Sequence, residues 1–121
     1  MRCHPAVVAQ KAATMQVLSG GRIRLGLGSG EILNEHVTGR PWPAASVRQD
    51  MLAEAVEIIS ALFDGGYVNY RGQHFQVEAA RVWDLPELRV PIGIAVSGPR
   101  RAPGSFPITR RLRSCLAYHR G

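Results

Sequence analysis

Arg22-Ile23-Arg24-Leu25-Gly26-Leu27, running into Gly28-Ser29-Gly30-Glu31-Ile32-Leu33-Asn34-Glu35-His36, is the stretch that decides the fold. Its first six residues alternate polar and apolar side chains, as a half-buried strand does. Gly26, Gly28 and Gly30 then take every second position, which lets bare backbone come close to a flat or anionic ligand. In parallel α/β proteins bound molecules collect at the carboxyl ends of strands, so Glu31 at such an end is a candidate for proton transfer. The competing reading of the same loop is a tight turn with a solvated glutamate. A dinucleotide fold is disfavoured, because the glycine spacing is not G-x-G-x-x-G and no helix opens directly after it.

The flanking segments predict what this strand packs against. Pro5 suits a first helical turn, and Val8, Ala12, Met15 and Leu18 recur at three- and four-residue steps until Ser19-Gly20-Gly21 stops the pattern. On the other side, Thr38 to Ala45 reads as a proline-broken loop with Trp42 as a lid or packing residue. Ser46 and Gln49 form a capping-box pattern, followed at helical spacing by Met51, Leu52, Ala55, Ile58, Ile59, Leu62 and Phe63. Asp64-Gly65-Gly66 closes that helix, after which Tyr67 to Tyr70 faces His74 to Val77 across Arg71-Gly72-Gln73 as a hairpin. Pro91 to Pro99 reads as a buried parallel strand ending in small residues. The order strand, helix, hairpin, strand is that of a barrel segment carrying an insertion.

Charge is unevenly placed. The net charge is +6, yet residues 1–99 hold nine basic and nine acidic side chains, whereas residues 100–121 hold six arginines and no acid. That basic tail lacks the apolar period of a helix, so two explanations stay open: an arm for nucleic acid or another polyanion, or an end unrelated to the rest. Few aromatics interleave with the arginines, which favours the second. Cys3 and Cys115 are far apart in sequence and indicate neither a metal motif nor a disulfide framework. No apolar run approaches the roughly 18 residues of a membrane helix, and Met1-Arg2-Cys3-His4-Pro5 does not resemble a signal peptide, so a cytoplasmic location is expected.

Four segments together resemble a known family: His4-Pro5-Ala6-Val7-Val8-Ala9-Gln10, Gly26 through His36, Ala55-Val56-Glu57-Ile58-Ile59, and Tyr67 through Gly72 with His74-Phe75. Residues 2–98 are similar to the luciferase-like oxidoreductase superfamily, on the branch that uses the deazaflavin coenzyme F420 and includes F420-dependent glucose-6-phosphate dehydrogenases. The resemblance implies a (β/α)8 barrel. Such a barrel needs roughly 250 residues, so a chain of 121 is expected to form a partial TIM barrel of two to three βα units with the hairpin inserted. Residues 1–99 then form the barrel segment, and residues 100–121 a basic Arg/Pro-rich tail outside it.

By resemblance, Glu31 is the catalytic residue, the glutamate after the glycine-rich strand end that handles a proton near the reduced coenzyme. Ser29 and Gly30 resemble coenzyme contacts, and Asn34 an amide bonded to the coenzyme's polar tail. Ser97 and Gly98 match the next strand end, where small residues make room for the ring, although Pro99-Arg100-Arg101 interrupts the pattern. Asn34 alone reads equally as a turn cap, His36 as a structural group, His4 as a helix cap and His74 as a packed hairpin residue. The implied activity is hydride transfer between F420 and a small organic substrate; the alternatives are an FMN-dependent monooxygenase and a non-catalytic remnant with a polyanion-binding tail. Other coenzyme and substrate contacts of the family would lie before Met1 and after Pro99, so little turnover is expected from this chain alone. Open strand edges would make it marginally stable or prone to pair as a homodimer.

Overall fold

A computed structural model describes residues 3–29, 39, 41 and 43–94. The first helix, α1, spans Pro5–Leu18. His4 caps it, its Nδ1 accepting the Ala6 N–H at 3.2 Å, and Pro5 fills a position where a missing donor costs nothing. The expectation that Met15 and Leu18 face inward is corrected. Both are exposed, and the buried side is Pro5, Ala9, Ala12, Ala13 and Gln16. The reason is distance: α1 packs on the second helix through alanines, which let two backbones approach closely, and the longer side chains are left outside. After Ser19, Gly20 and Gly21 adopt φ of 65° and 87°. At Gly21 the φ favours glycine, and a side chain there would have to push aside the exposed tip of Leu88.

The second helix, α2, spans Ala45–Phe63. It buries Leu52, Ala55, Ile58, Ile59, Leu62 and Phe63, the apolar stripe read from the sequence. Its start differs from the expected capping box. The N-cap is Ala44 with no side-chain hydrogen bond, because Pro43 brings the chain into the helix before Ser46 is reached. Its end is built as expected, with Asp64 as the C-cap and Gly65 at φ 86°. Arg89 reinforces that end by pairing with the Asp64 carboxylate and donating to Ser60 O at 3.0 Å, a cation placed at the negative pole of the helix.

Strand β1 is Leu25–Leu27 and pairs in parallel with β4, Ile92–Ile94, with Leu25 opposite Ile92, Gly26 opposite Gly93 and Leu27 opposite Ile94. The strand is shorter than the expected Arg22–Leu27. The first half of that stretch has no ladder partner among the described residues; the Ile23 N–H is taken instead by Gln16 Oε1 at 2.8 Å. Parallel pairing needs a crossover, and α2 supplies it, giving a β-α-β unit. The hairpin inserted into it is β2, Val68–Arg71, paired with β3, Gln76–Ala80, in a sheet of its own. Its turn is corrected from residues 71–73 to 72–75. Arg71 pairs with Gln76 and Tyr70 with Val77, and the Gly72 N–H closes the turn on Phe75 O at 2.9 Å. A bulge between Val68 and Tyr70 leaves Asn69 Oδ1 to accept the Ala79 N–H, with Ala79 at φ 46°.

Gln16 is the buried polar residue that locks these parts together. Besides accepting from Ile23, its Nε2 donates to Leu88 O at 3.2 Å, so one amide reaches the chain leading into both parallel strands. Gln16→Leu removes both partners and leaves two backbone groups unpaired, an expected loss of roughly 1–3 kcal/mol. Urea denaturation checks it; an unchanged midpoint would mean that water satisfies those groups.

Candidate functional site

The parallel pair has two unlike faces. Leu25 and Leu27 point toward the helices with Ile92 and pack on the core, while Gly26 and Gly93, side by side in register, occupy the opposite face. Among the described residues a Cβ at Gly26 would meet nothing within 4 Å, and one at Gly93 would meet Leu25 O at 4.0 Å. That face is a floor of bare backbone on which a planar group can lie close to the peptide plane. Because Leu27 lies opposite Ile94, both strands deliver the chain at the same end of the sheet, which is where Gly28 and Ser29 emerge exposed.

Of the residues singled out in the sequence, Ser29 is thus placed beyond the carboxyl end of β1 and open to solvent. Gly30, Glu31, Asn34, His36, Trp42, Ser97 and Gly98 lie outside the described residues, as do Cys115 and the basic tail. Glu31 and Asn34 follow β1 in sequence, and Ser97 and Gly98 follow β4. His4 is a helix cap that also stacks edge-on against Phe75 at 5.7 Å. His74 is half-buried in the hairpin turn, its Nε2 finding no partner among the described residues.

A depression of about 430 Å³ lies at the other end of the fold, between Gln16, Val17, Gly20 and Gly21 on one side and residues 85–88 on the other. These residues precede β1 and β4, so it opens at the amino ends of the strands, and Ser29, the candidate residue among those described, does not line it. In parallel α/β folds conserved chemistry belongs to the carboxyl ends, and a hollow at the amino ends belongs to packing.

The sequence reading missed one polar constellation, on α2 and the hairpin. Glu54 accepts three successive backbone N–H groups, from Gln73 at 2.7 Å, His74 at 2.9 Å and Phe75 at 2.9 Å, and one helical turn on Glu57 accepts the Tyr70 hydroxyl at 2.8 Å. Burial pushes the Glu54 carboxyl up, but the three amides and the His74 charge outweigh it and hold the group below its ordinary value. Burial, the hydrogen bond to Glu57 and the charges of Glu57 and Glu54 push Tyr70 up to about 12. Two acids three apart on one helix face, followed by a glycine-centred turn, were the available signal. Among the described residues no cluster of three His, Cys, Asp or Glu could hold a metal ion, and no helix is long and apolar enough to cross a membrane.

Comparison with known proteins agrees with this architecture. The luciferase-like monooxygenase family profile matches residues 1–103. An F420-dependent glucose-6-phosphate dehydrogenase of Microbacterium testaceum (strain StLB037) is 47% identical over 98 residues, which are 81% of this chain and 29% of that protein. The enzyme of the same name from Amycolatopsis mediterranei (strain U-32) is 46% identical over 99 residues, covering 81% of this chain and 30% of that protein. Among solved structures, an F420-dependent secondary alcohol dehydrogenase in complex with an F420-acetone adduct superimposes with a TM-score of 0.74 at 36% identity, over 78% of this chain and 29% of that one. The chain therefore spans about 30% of the length of the curated relatives it matches. With a β-α-β unit of barrel type, a matching profile over most of its length and relatives at nearly half identity, the chain belongs to the luciferase-like monooxygenase family.

Proposed function

We propose that this chain supplies part of the coenzyme pocket of an F420-dependent oxidoreductase acting on a small organic substrate. The observation that carries the reading is the glycine floor of β1 and β4: two glycines in register that leave the backbone uncovered among the described residues, at whose carboxyl end the candidate residues follow in sequence. It fits a flat, polar-tailed ring system better than a bulky apolar ligand. When bound, the deazaflavin supplies hydride exchange with the substrate. The chain's own residues bind and manage protons: Ser29 and Gly30 offer a hydroxyl and open backbone, Asn34 an amide, Ser97 and Gly98 room on the adjacent strand end. Glu31 holds a proton beside the site where negative charge develops.

The names of the relatives support F420 over other redox groups, and the family's monooxygenase description keeps flavin mononucleotide as the alternative occupant of the same floor. Turnover needs barrel units beyond those carried here, so the isolated chain binds weakly and reacts little. The test is a chimera in which residues 1–99 replace the matching segment of the Microbacterium testaceum relative. Reduction of F420 by the chimera is expected; a chimera that folds but takes up only flavin mononucleotide, or neither coenzyme, contradicts the proposal.

A further inference from the structure

The hairpin stands apart from the rest of the fold in the way it is held. Its two strands form a sheet of their own with no ladder bond to β1 or β4, and a lone two-stranded hairpin is marginal in water. Val77 alone among its strand residues is buried, with Val68, Tyr70, Phe75 and Ala80 partly covered; Asn69, Arg71, Gln73, Gln76 and Glu78 face solvent. The polar grip comes from α2, where Glu54 takes the amides of residues 73–75 and Glu57 takes the Tyr70 hydroxyl. Any side chain at Gly72 would strike the Glu54 carboxylate and the Tyr70 ring, so the turn is shaped around this contact.

We propose that the β2–β3 hairpin is a separately releasable flap, fastened to α2 by the Glu54 and Glu57 carboxylates and able to lift while the helices stay packed. The groups facing Glu54 are the His74 imidazole and Tyr70 on the hairpin, Glu57 of α2 holds the same Tyr70 hydroxyl, and the His4 ring of α1 backs the turn through Phe75. The sign of the pH dependence follows. Glu54 is held below the ordinary glutamate value of 4.5, so its grip is complete above that value and fades as pH falls beneath it. Tyr70, raised to about 12, keeps donating to Glu57 through the range where a free tyrosine ionises, and that grip is lost only as pH rises through the upper value. The flap is closed between these limits and opens first at the acid side, where the larger set of hydrogen bonds is lost.

Amide hydrogen exchange resolved by residue tests this on the full chain. In Glu54→Gln at neutral pH, exchange across residues 70–80 is expected to rise about tenfold or more, with the amides of Ile58, Ile59 and Leu62 unchanged. Glu57→Gln, which can still accept from Tyr70, is expected to give a smaller rise. Should Glu54→Gln not fold, the unmodified chain carries the same test: after correction for intrinsic rates, lowering pH beneath 4.5 is expected to release the hairpin amides before the helical ones. Hairpin and helix amides rising together, or a hairpin indifferent both to the substitution and to acid, overturns the proposal.

Discussion

Ile58→Ala is expected to remove about 2–5 kcal/mol of stability, enough to leave the chain largely unfolded at 25 °C. Ile58 is 0% exposed on α2, at the seam where α2 meets α1 and the parallel strands. Its surroundings cannot collapse into the gap. Ala9, Ala12, Ala13 and Ala55 have no length to move inward, so the cavity stays and adds its cost to the lost transfer energy. Few large side chains share the burden, chiefly Ile59, Leu62 and Val90, and so one deletion takes a large share of the core. Urea denaturation followed by far-ultraviolet circular dichroism checks it. A shift below about 0.5 kcal/mol, the range of surface substitutions, would mean that α1 does not cover this site.

Glu31→Gln in the chimera is expected to lower turnover by about 10²- to 10⁴-fold, the usual contribution of a positioned acid or base. Coenzyme affinity should change far less, because glutamine keeps the shape and a polar tip while losing only the exchangeable carboxyl proton. Steady-state rates and a coenzyme fluorescence titration on the same preparation separate the two effects. Unchanged turnover would make Glu31 a solvated turn residue, the duller reading of the glycine loop.

Much of this fold could be read from residues, and its limits were physical. The stripe from Leu52 to Phe63 announced α2 because a long, strongly periodic segment leaves one solution. The hairpin was legible from Gly65-Gly66 and the runs on either side of Gly72, and the parallel return of Ile92–Ile94 from an apolar run that begins at Pro91. What failed depended on contacts distant in sequence. Which side of α1 faces inward is decided by how near α2 can come, and alanines win that contest over Met15 and Leu18 although a hydropathy pattern favours the larger residues. The hairpin turn moved to residues 72–75 because Glu54, some twenty positions away, gathers the amides of Gln73, His74 and Phe75. For the site, the sequence supplied the glycine-rich strand end. Its register against Gly93, which makes a floor of two neighbouring glycines, became visible only once β1 and β4 were paired.

The central claim is that the coenzyme lies at the carboxyl ends of β1 and β4. A two-dimensional amide NMR titration of the chain with F420 tests it most directly. The account predicts concerted shifts at Gly26, Gly28, Ser29 and Gly93, with Gly20, Gly21 and Leu88 at the opposite end unmoved. Shifts confined to Gly20, Gly21 and Leu88, or none at millimolar coenzyme, would contradict it.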